Sequence, residues 1–439
     1  MNGYTLISCI GTGMYKKEGG YRPTTYQFPG NGKKFRTTIF LEAIFKTEYR
    51  PIKKVIVVGT RTSSWDMLIA DLNNNEDLFF KIHGECRNKE KGIGPDSVKE
   101  LESKLPGWYN NIPFKIVVHT NEINHENVEN IFKAYGEIPD LLEPNTDILF
   151  DISHGFRSMH LLLFQSLQLN ASKISGRRVE LIYGEYIEDE DISYVRDLSQ
   201  YWEYYEISSA KKLFEEKLDG RLLAEKIKQD WESGEKFLNR LSDIVECNFS
   251  LQIPYKKEWN RDAAINQLKN ALKDFNKTGK PKWIIEVWDK LDEMYKRLSV
   301  KENEKYPVAK TVWEYSKILR EKNLITQAVI ALHVVVETAI AEKYDPEKIG
   351  DYSWFNGYYD KKKKLKIEGI GDKKLKKIYK KSNKIGMSLG KLEGLRDRIA
   401  HGGGKDKKEN FPHLANIDGI LKSIDDVIQE FFTILDQDD

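Results

Sequence analysis

The chain has 439 residues, of which 40% are hydrophobic, 11% aromatic and 31% charged, with a formal net charge of +2. This length predicts two or three domains, and the balanced charge indicates a soluble chain. Cys9, Cys86 and Cys247 lie far apart, which argues against a disulfide framework or a zinc site and fits a reducing compartment. No apolar run approaches the roughly 20 residues of a membrane span, and a signal-peptide pattern is missing, so we expect a cytoplasmic protein with no membrane partner.

The first 200 residues alternate strand-like and helix-like segments. Apolar, β-branched runs predict strands at residues 5–10, 54–58, 114–118, 147–152 and 179–183. Apolar residues at helical spacing predict helices between them, including 37–45 and 156–170. Buried strands that alternate with helices imply a parallel sheet covered on both faces, so residues 1–200 are predicted to form an α/β, Rossmann-like domain.

Small and polar residues follow three of these predicted strands. They are Gly11, Thr12 and Gly13; Thr60, Arg61, Ser63, Ser64 and Trp65; and Ser153, His154, Gly155, Phe156 and Arg157. Ligands of such sheets bind beyond the carboxyl ends of the strands, where hydroxyl and backbone N–H groups suit phosphate or ribose. Each turn alone is explained equally well as a strand-to-helix connection, but three together predict a crevice for an anionic, nucleotide-like ligand. The glycine pattern is incomplete for a dinucleotide site.

Residues 201–320 change character and predict a helical middle domain. Lys and Glu interleave with apolar residues at spacings of three and four, which predicts helices at 210–218, 222–245 and 261–275. Four tryptophans of this region are predicted to anchor helix packing, with a base-stacking platform as the alternative. These are Trp231, Trp283, Trp288 and Trp313.

Residues 321–439 predict an all-helical third domain. The apolar helix at 324–343 carries His333 and Glu337 four residues apart, which fits a buried polar pair better than a proton relay. The lysine-dense stretch 361–384 is explained equally well as a solvated face or as a track for an RNA backbone. Helices at 387–400 and 417–435 complete the domain.

Arg396 and His401 end the first of these two helices, just before a glycine triplet. Residues five apart are not stacked on a helix, but a bend near Ala400 would bring the two side chains together. An arginine can hold a scissile phosphate and stabilise its charge, and a histidine can move protons at neutral pH. Alone the pair also fits a surface arginine and a helix-end histidine favoured by the helix dipole.

Taken together, these motifs resemble the CARF–HEPN ribonucleases, which are ancillary effectors of type III CRISPR systems. The resemblance covers essentially the whole chain. It rests on the Arg-x4-His spacing of Arg396 and His401, on the turns at residues 11–13 and 59–65, and most distinctively on the segment 151–158, Asp-Ile-Ser-His-Gly-Phe-Arg-Ser. The resemblance implies a CARF domain at 1–200, a helical linker at 201–320 and a HEPN ribonuclease domain at 321–439.

The resemblance also implies an activity. CARF domains of this family dimerise and bind cyclic oligoadenylate, which activates a HEPN nuclease that cuts single-stranded RNA with little sequence specificity. Arg396 and His401 would be catalytic, with Arg398 as a supporting phosphate contact, in a homodimer or higher even oligomer. No metal or cofactor is expected, the products would carry 2′,3′-cyclic phosphate ends, and a ring of four adenylates is favoured over six.

Three alternatives remain open at this point. The chain could be a cyclic-oligoadenylate sensor without ribonuclease activity, although we find no basic recognition helix for a transcriptional module. It could be a HEPN toxin controlled by a protein antitoxin. The CARF pocket could also degrade its own activator with help from Ser153 or His154, although in-line attack needs a geometry that sequence does not reveal.

Overall fold

A computed structural model describes residues 3–12, 22–30, 32–70, 76–120, 127–254, 263–300, 303–360, 365–400 and 417–437. The chain divides into two compact units, residues 1–205 and 206–439. The division falls inside a helix, Ser199–Lys217, where the sequence placed a domain boundary at residue 200.

The first unit is built on an eight-stranded sheet. In chain order its strands are β1 Tyr4–Ile10, β2 Thr24–Gln27, β3 Lys34–Thr37, β4 Ile52–Thr60, β5 Phe114–His119, β6 Asp147–Asp151, β7 Val179–Ile187 and β8 Ile192–Asp197. They lie in the order β3-β2-β8-β7-β6-β1-β4-β5. The five predicted strands are confirmed as β1, β4, β5, β6 and β7, and they run parallel to their neighbours in this set.

The predicted parallel sheet is confirmed for these five strands, and the complete sheet is mixed. β8 returns antiparallel to β7, and β2 pairs with β3 antiparallel. The short strands β2 and β3 are only partly buried, so they lack the apolar run that marks β1 or β4. A hairpin partner such as β8 follows its strand through a short turn and needs no crossover helix, so it falls outside an alternating strand–helix pattern.

Helices cover both faces of the sheet. They are Phe40–Lys46, Glu76–Arg87, Pro95–Trp108, Val128–Gly136, Arg157–Leu169 and Ala171–Ile174, with short 3₁₀ turns at Trp65–Ile69, Ile138–Leu141 and Glu188–Glu190. β1 shows why two layers are needed, since successive side chains of a strand point to opposite faces. Leu6 and Ile10 join the core on one face, while Ile7 and Cys9 join the core on the other.

The second unit is mostly helical. Its helices are Arg221–Ile227, Glu232–Glu246, Ala264–Asp274, Lys282–Leu298, Pro307–Glu321, Ile325–Tyr344, Tyr352–Asn356, Ile370–Lys381, Asn383–Ala400 and Ile417–Asp436, with 3₁₀ turns at Ser250–Gln252 and Pro346–Lys348. One hydrophobic core runs from Ala210 to Leu435 and takes in both the predicted middle and the predicted third domain. Among the described residues, the predicted middle and third domains therefore share one core across the boundary that was predicted at residue 320.

Two local predictions for this unit need correction. The single helix predicted at 222–245 is two helices, Arg221–Ile227 and Glu232–Glu246. Trp231 stands at the break, buried, with its indole N–H donating to the Ala271 carbonyl at 3.0 Å. The segment predicted as all-helical also contains a two-stranded antiparallel ribbon, Tyr358–Asp360 with Leu365–Ile367.

The four tryptophans that the sequence analysis singled out serve helix packing, as predicted. Trp231 lies in the core, and Trp283, Trp288 and Trp313 pack against it. The indole N–H of Trp313 donates to Asp425 at 3.0 Å, which ties two helices together. Because these rings are engaged within the fold, they do not form a free platform for stacking bases.

The helix Ile325–Tyr344 corrects another expectation. Among the residues that the structure describes, it is long and apolar enough to cross a membrane by length and composition, with a mean hydropathy of 1.5. His333 and Glu337 interrupt the apolar run, but the mean hydropathy of the helix stays high enough for a membrane span. Its apolar residues belong to the core of the second unit, and 56% of the apolar window is buried, which is typical of a core helix.

Candidate functional site

A cavity of about 690 Å³ opens at the carboxyl end of the first unit's sheet. It lies where β1 stands between β6 and β4, the point from which later strands extend the sheet on either side. Such switch points are where open α/β sheets bind ligands, because the loops on either side diverge. The lining residues are Ser8, Cys9, Ile10, Gly11, Thr12, Arg22, Thr24, Tyr26, Thr38, Ile39, Leu41, Val57, Met67, Leu68, Ser153, His154, Gly155, Phe156, Tyr183, Gly184, Tyr186, Glu188 and Ser193.

A buried carboxylate fixes the floor of this cavity. Asp151 ends β6 beside Ser8 of β1 and is fully buried. Its two oxygens accept from the Ser8 hydroxyl at 2.6 Å and from the Ser153 backbone N–H at 2.8 Å. The Ser153 hydroxyl in turn accepts from the Gly184 N–H at 2.7 Å. A buried carboxylate needs such partners, and this network locks the turn after β6 onto β1 and β7.

Two glycines let the loops after β1 and β6 approach closely. A Cβ at Gly11 would lie 3.0 Å from the Cα and N atoms of Gly155. Gly155 has φ +111°, a conformation that L-residues with a side chain rarely adopt. A Cβ there would also lie 3.1 Å from the Cβ of Cys9. The backbone conformation at residue 155 therefore favours glycine, and a side chain at residue 11 would push the two loops apart.

Tyr26 and His154 form the polar side wall. The Tyr26 hydroxyl and His154 Nε2 share a hydrogen bond of 3.0 Å. Burial lowers the pKa of His154, with the nearby Asp151 opposing the shift, so the imidazole is neutral near pH 7. His160 Nε2 donates to the His154 carbonyl at 2.7 Å and holds this segment from below. The wall thus offers uncharged hydrogen-bonding groups to a ligand.

The loop after β4 supports the cavity from behind. Ser63 is fully buried; its hydroxyl accepts from the Thr60 N–H at 2.9 Å and donates to the Ile10 carbonyl at 2.9 Å. The Ser64 N–H donates to the Gly11 carbonyl at 2.7 Å, and Trp65 is fully buried with its indole on the Thr60 carbonyl. The hydrogen bonds of these groups shape the loops after β1 and β4. Direct contact of these groups with a ligand stays a prediction.

The structure therefore brings together part of the predicted ligand set. Gly11, Thr12, Ser153, His154, Gly155 and Phe156 line the cavity. Thr60, Arg61, Ser63, Ser64, Trp65 and Arg157 do not line it; Arg61 and Arg157 have exposed side chains. Gly13 lies outside the described residues.

Sequence reasoning missed the wall that the antiparallel strands supply. Thr24 and Tyr26 come from β2, Ser193 from β8, and Tyr183 from the middle of β7. In β8, buried Ser193 and Val195 alternate with less buried neighbours. Because Ser193 is polar while its neighbours Ile192 and Tyr194 are not, the sequence lacks the regular alternation of apolar and polar residues that predicts a half-buried strand.

We expect the protein to lose stability as the pH falls below about 6.5, the ordinary histidine value. Burial lowers the pKa of His119, His154 and His160 in the folded chain. Below the pKa of a histidine in the unfolded chain, the unfolded chain binds more protons than the folded chain. The free energy of unfolding therefore decreases as the pH decreases. The melting temperature should drop between pH 7 and pH 5, and His160→Gln should show a smaller drop. An equal drop in both proteins would show that His160 does not contribute.

A second polar cluster lies in the second unit, around Arg396. Helix Asn383–Ala400 places the Arg396 guanidinium against His333 of helix Ile325–Tyr344, with Nη1 2.6 Å from Nε2 and 3.4 Å from Nδ1. Glu337, one turn along from His333, lies 3.5 Å from its Nδ1 and accepts from the Asn356 amide at 3.2 Å. The pair that sequence treated as a satisfied polar pair thus faces the predicted catalytic arginine.

The other two predicted catalytic residues cannot be placed. Arg398 lies on the same helix as Arg396, but its side chain is outside the described part of the structure, and His401 lies outside the described residues altogether. Part of the lysine-rich segment is described. Lys376 pairs with Glu368 and with Asp372 at 2.9 Å, and Lys384 pairs with Glu430 at 2.8 Å.

Comparison with known proteins bears on the first unit. Residues 5–188 match the family model described as "CRISPR system endoribonuclease Csx1, CARF domain", which covers less than half of the chain. No curated protein matches the sequence. Among solved structures, Enterococcus italicus Csm6 bound to cyclic hexa-2'-fluoro-hexa-dAMP is similar over 99% of this chain and 97% of that chain, with 12% sequence identity and a TM-score of 0.40. A likeness at that level carries no argument about function.

Proposed function

Because its first unit carries a CARF domain, we propose that the protein is an endoribonuclease of type III CRISPR defence that cyclic oligoadenylate activates. The enzyme is proposed to be cytoplasmic and to need no metal ion. The observation that carries the proposal is the CARF match over residues 5–188 together with the cavity at the sheet's switch point. The cavity lies where a CARF ligand is expected, and its size suits a small-molecule site.

The chemistry of the cavity fits a ring of nucleotides. Among the described residues that line it are one arginine, Arg22, and one carboxylate, Glu188, while the remaining polar groups are hydroxyl, phenol, imidazole and backbone groups. Such groups pair with ribose hydroxyls and phosphate oxygens, and the tyrosines Tyr183 and Tyr186 offer faces for adenine. In a homodimer, a twofold ring on the symmetry axis would meet the same residues from both copies.

In the proposed reaction, the 2′-hydroxyl of single-stranded RNA attacks the adjacent phosphorus and the 5′-oxygen leaves. The attacking hydroxyl loses its proton, the leaving oxygen gains one, and the products carry a 2′,3′-cyclic phosphate and a 5′-hydroxyl. Arg396 would stabilise the charge on the phosphate oxygens, His401 would move a proton, and Arg398 would support the phosphate. The ring activates only if it binds the active arrangement more tightly than the inactive one.

The direct test is cleavage of a fluorogenic single-stranded RNA in EDTA, with no ring, with cyclic tetra-adenylate and with cyclic hexa-adenylate. We expect cleavage that requires one ring, with the tetra-adenylate favoured, and that is lost in His401→Ala. If either ring binds but no RNA is cut, the protein is a sensor and the ribonuclease proposal fails. If cleavage proceeds equally without a ring, the activation proposal fails.

A further inference from the structure

His333 holds the arginine on which the proposed reaction depends. Arg396 Nη1 lies 2.6 Å from His333 Nε2 and 3.4 Å from Nδ1, so one guanidinium nitrogen is pressed against the imidazole. The two residues are 63 positions apart and come from different helices, which pack together in the core. The unprotonated nitrogen of an imidazole can accept the guanidinium N–H.

The imidazole is itself held from behind. Glu337 lies 3.5 Å from His333 Nδ1, and its carboxylate accepts from Asn356 at 3.2 Å. Burial raises the pKa of Glu337, which Asn356 and Arg396 oppose. Asn356 belongs to a third helix, Tyr352–Asn356. Three helices thus contribute one line of contacts that ends on the guanidinium.

We propose that His333 is a positioning residue for Arg396 in RNA cleavage, an inference that rests on the proposed function. An arginine side chain has many rotamers, and without a fixed partner it would sample many positions around the scissile phosphate. The contact with His333 uses one of the five guanidinium N–H donors and limits the positions that the guanidinium can take. A misplacement of about 1 Å can cost on the order of 10²-fold in rate, so a fixed guanidinium has a large effect.

The test compares His333→Leu, which removes the acceptor at similar volume, with His333→Gln, which keeps one. With saturating ring, we expect His333→Leu to lower kcat of RNA cleavage by about 10- to 100-fold with KM little changed. His333→Gln should recover most of the rate. In an Arg396→Ala background, His333→Leu should have no further effect, because His333 acts through that arginine. Thr326→Ala, an exposed change on the same helix, is the matched control.

Melting temperatures of the same variants distinguish a loss of arginine positioning from a loss of folding stability. The inference is overturned if His333→Leu cleaves like the wild type, if His333→Gln is as slow as His333→Leu at equal stability, or if His333→Leu slows the Arg396→Ala protein further. A wild type that cleaves no RNA with any ring removes the proposed function itself, which is a different result from a wild type that cleaves and does not depend on His333.

Discussion

Replacing Arg396 with alanine is expected to lower ring-activated RNA cleavage by about 10²- to 10³-fold, the usual loss when one donor to transition-state charge is removed. The guanidinium is held against His333, so its position is set by the fold before substrate arrives. The loss should appear in kcat, and ring binding in the first unit should be unchanged. Initial rates on a fluorogenic RNA, with ring affinity measured by calorimetry, check both parts.

Two further variants define this result. Arg396→Lys keeps the charge but loses the planar fork of donors, so we expect it to recover only part of the rate. Arg221→Ala removes a partly exposed arginine of the same unit that pairs with Asp243 at 3.2 Å and with Glu246. It should leave the rate within about twofold because surface ion pairs contribute little. Equal rates for Arg396→Ala and Arg221→Ala would contradict the catalytic role of Arg396.

The part of the fold that sequence predicted is the part with the strongest hydrophobic pattern. Strands such as β1 are buried on both faces, so their apolar runs stand out, and their carboxyl ends locate the cavity. The wall carrying Tyr26 was missed because β2 is four residues long and half-buried. The sequence predicts Ser63 and Trp65 as ligand contacts because it shows which groups a turn contains. Only the structure shows that their hydrogen bonds shape the neighbouring loop, and their contact with a ligand stays a prediction.

The same limit applies to the second unit. The spacing of His333 and Glu337 was visible, and so was the Arg396–His401 motif. The sequence could not show that the two helices pack with His333 facing Arg396. This contact depends on how two helices cross, and the two residues are 63 positions apart in the chain. Helical periodicity identifies a buried face but not the partner of that face.

Replacing Gly155 with alanine is expected to weaken ring binding by at least about tenfold, which corresponds to about 1.4 kcal/mol. Gly155 has φ +111°, where a side chain strains the backbone, and the new Cβ would lie 3.1 Å from that of Cys9. Relief requires the loop after β6 to move away from β1, which shifts Ser153 and His154 on the cavity wall. Calorimetric titration with cyclic tetra-adenylate and cyclic hexa-adenylate measures the loss.

Gly176→Ala is the matched control for this change. Gly176 also has a left-handed backbone, with φ +77°, but a Cβ there would meet nothing within 4 Å, and the residue lies outside the cavity. The two variants therefore share backbone strain and differ in the approach of the two loops. Gly176→Ala should bind the ring like the wild type even where its melting temperature falls. If Gly155→Ala also binds the ring like the wild type, the close approach of Gly155 to Cys9 of β1 does not shape the ligand site.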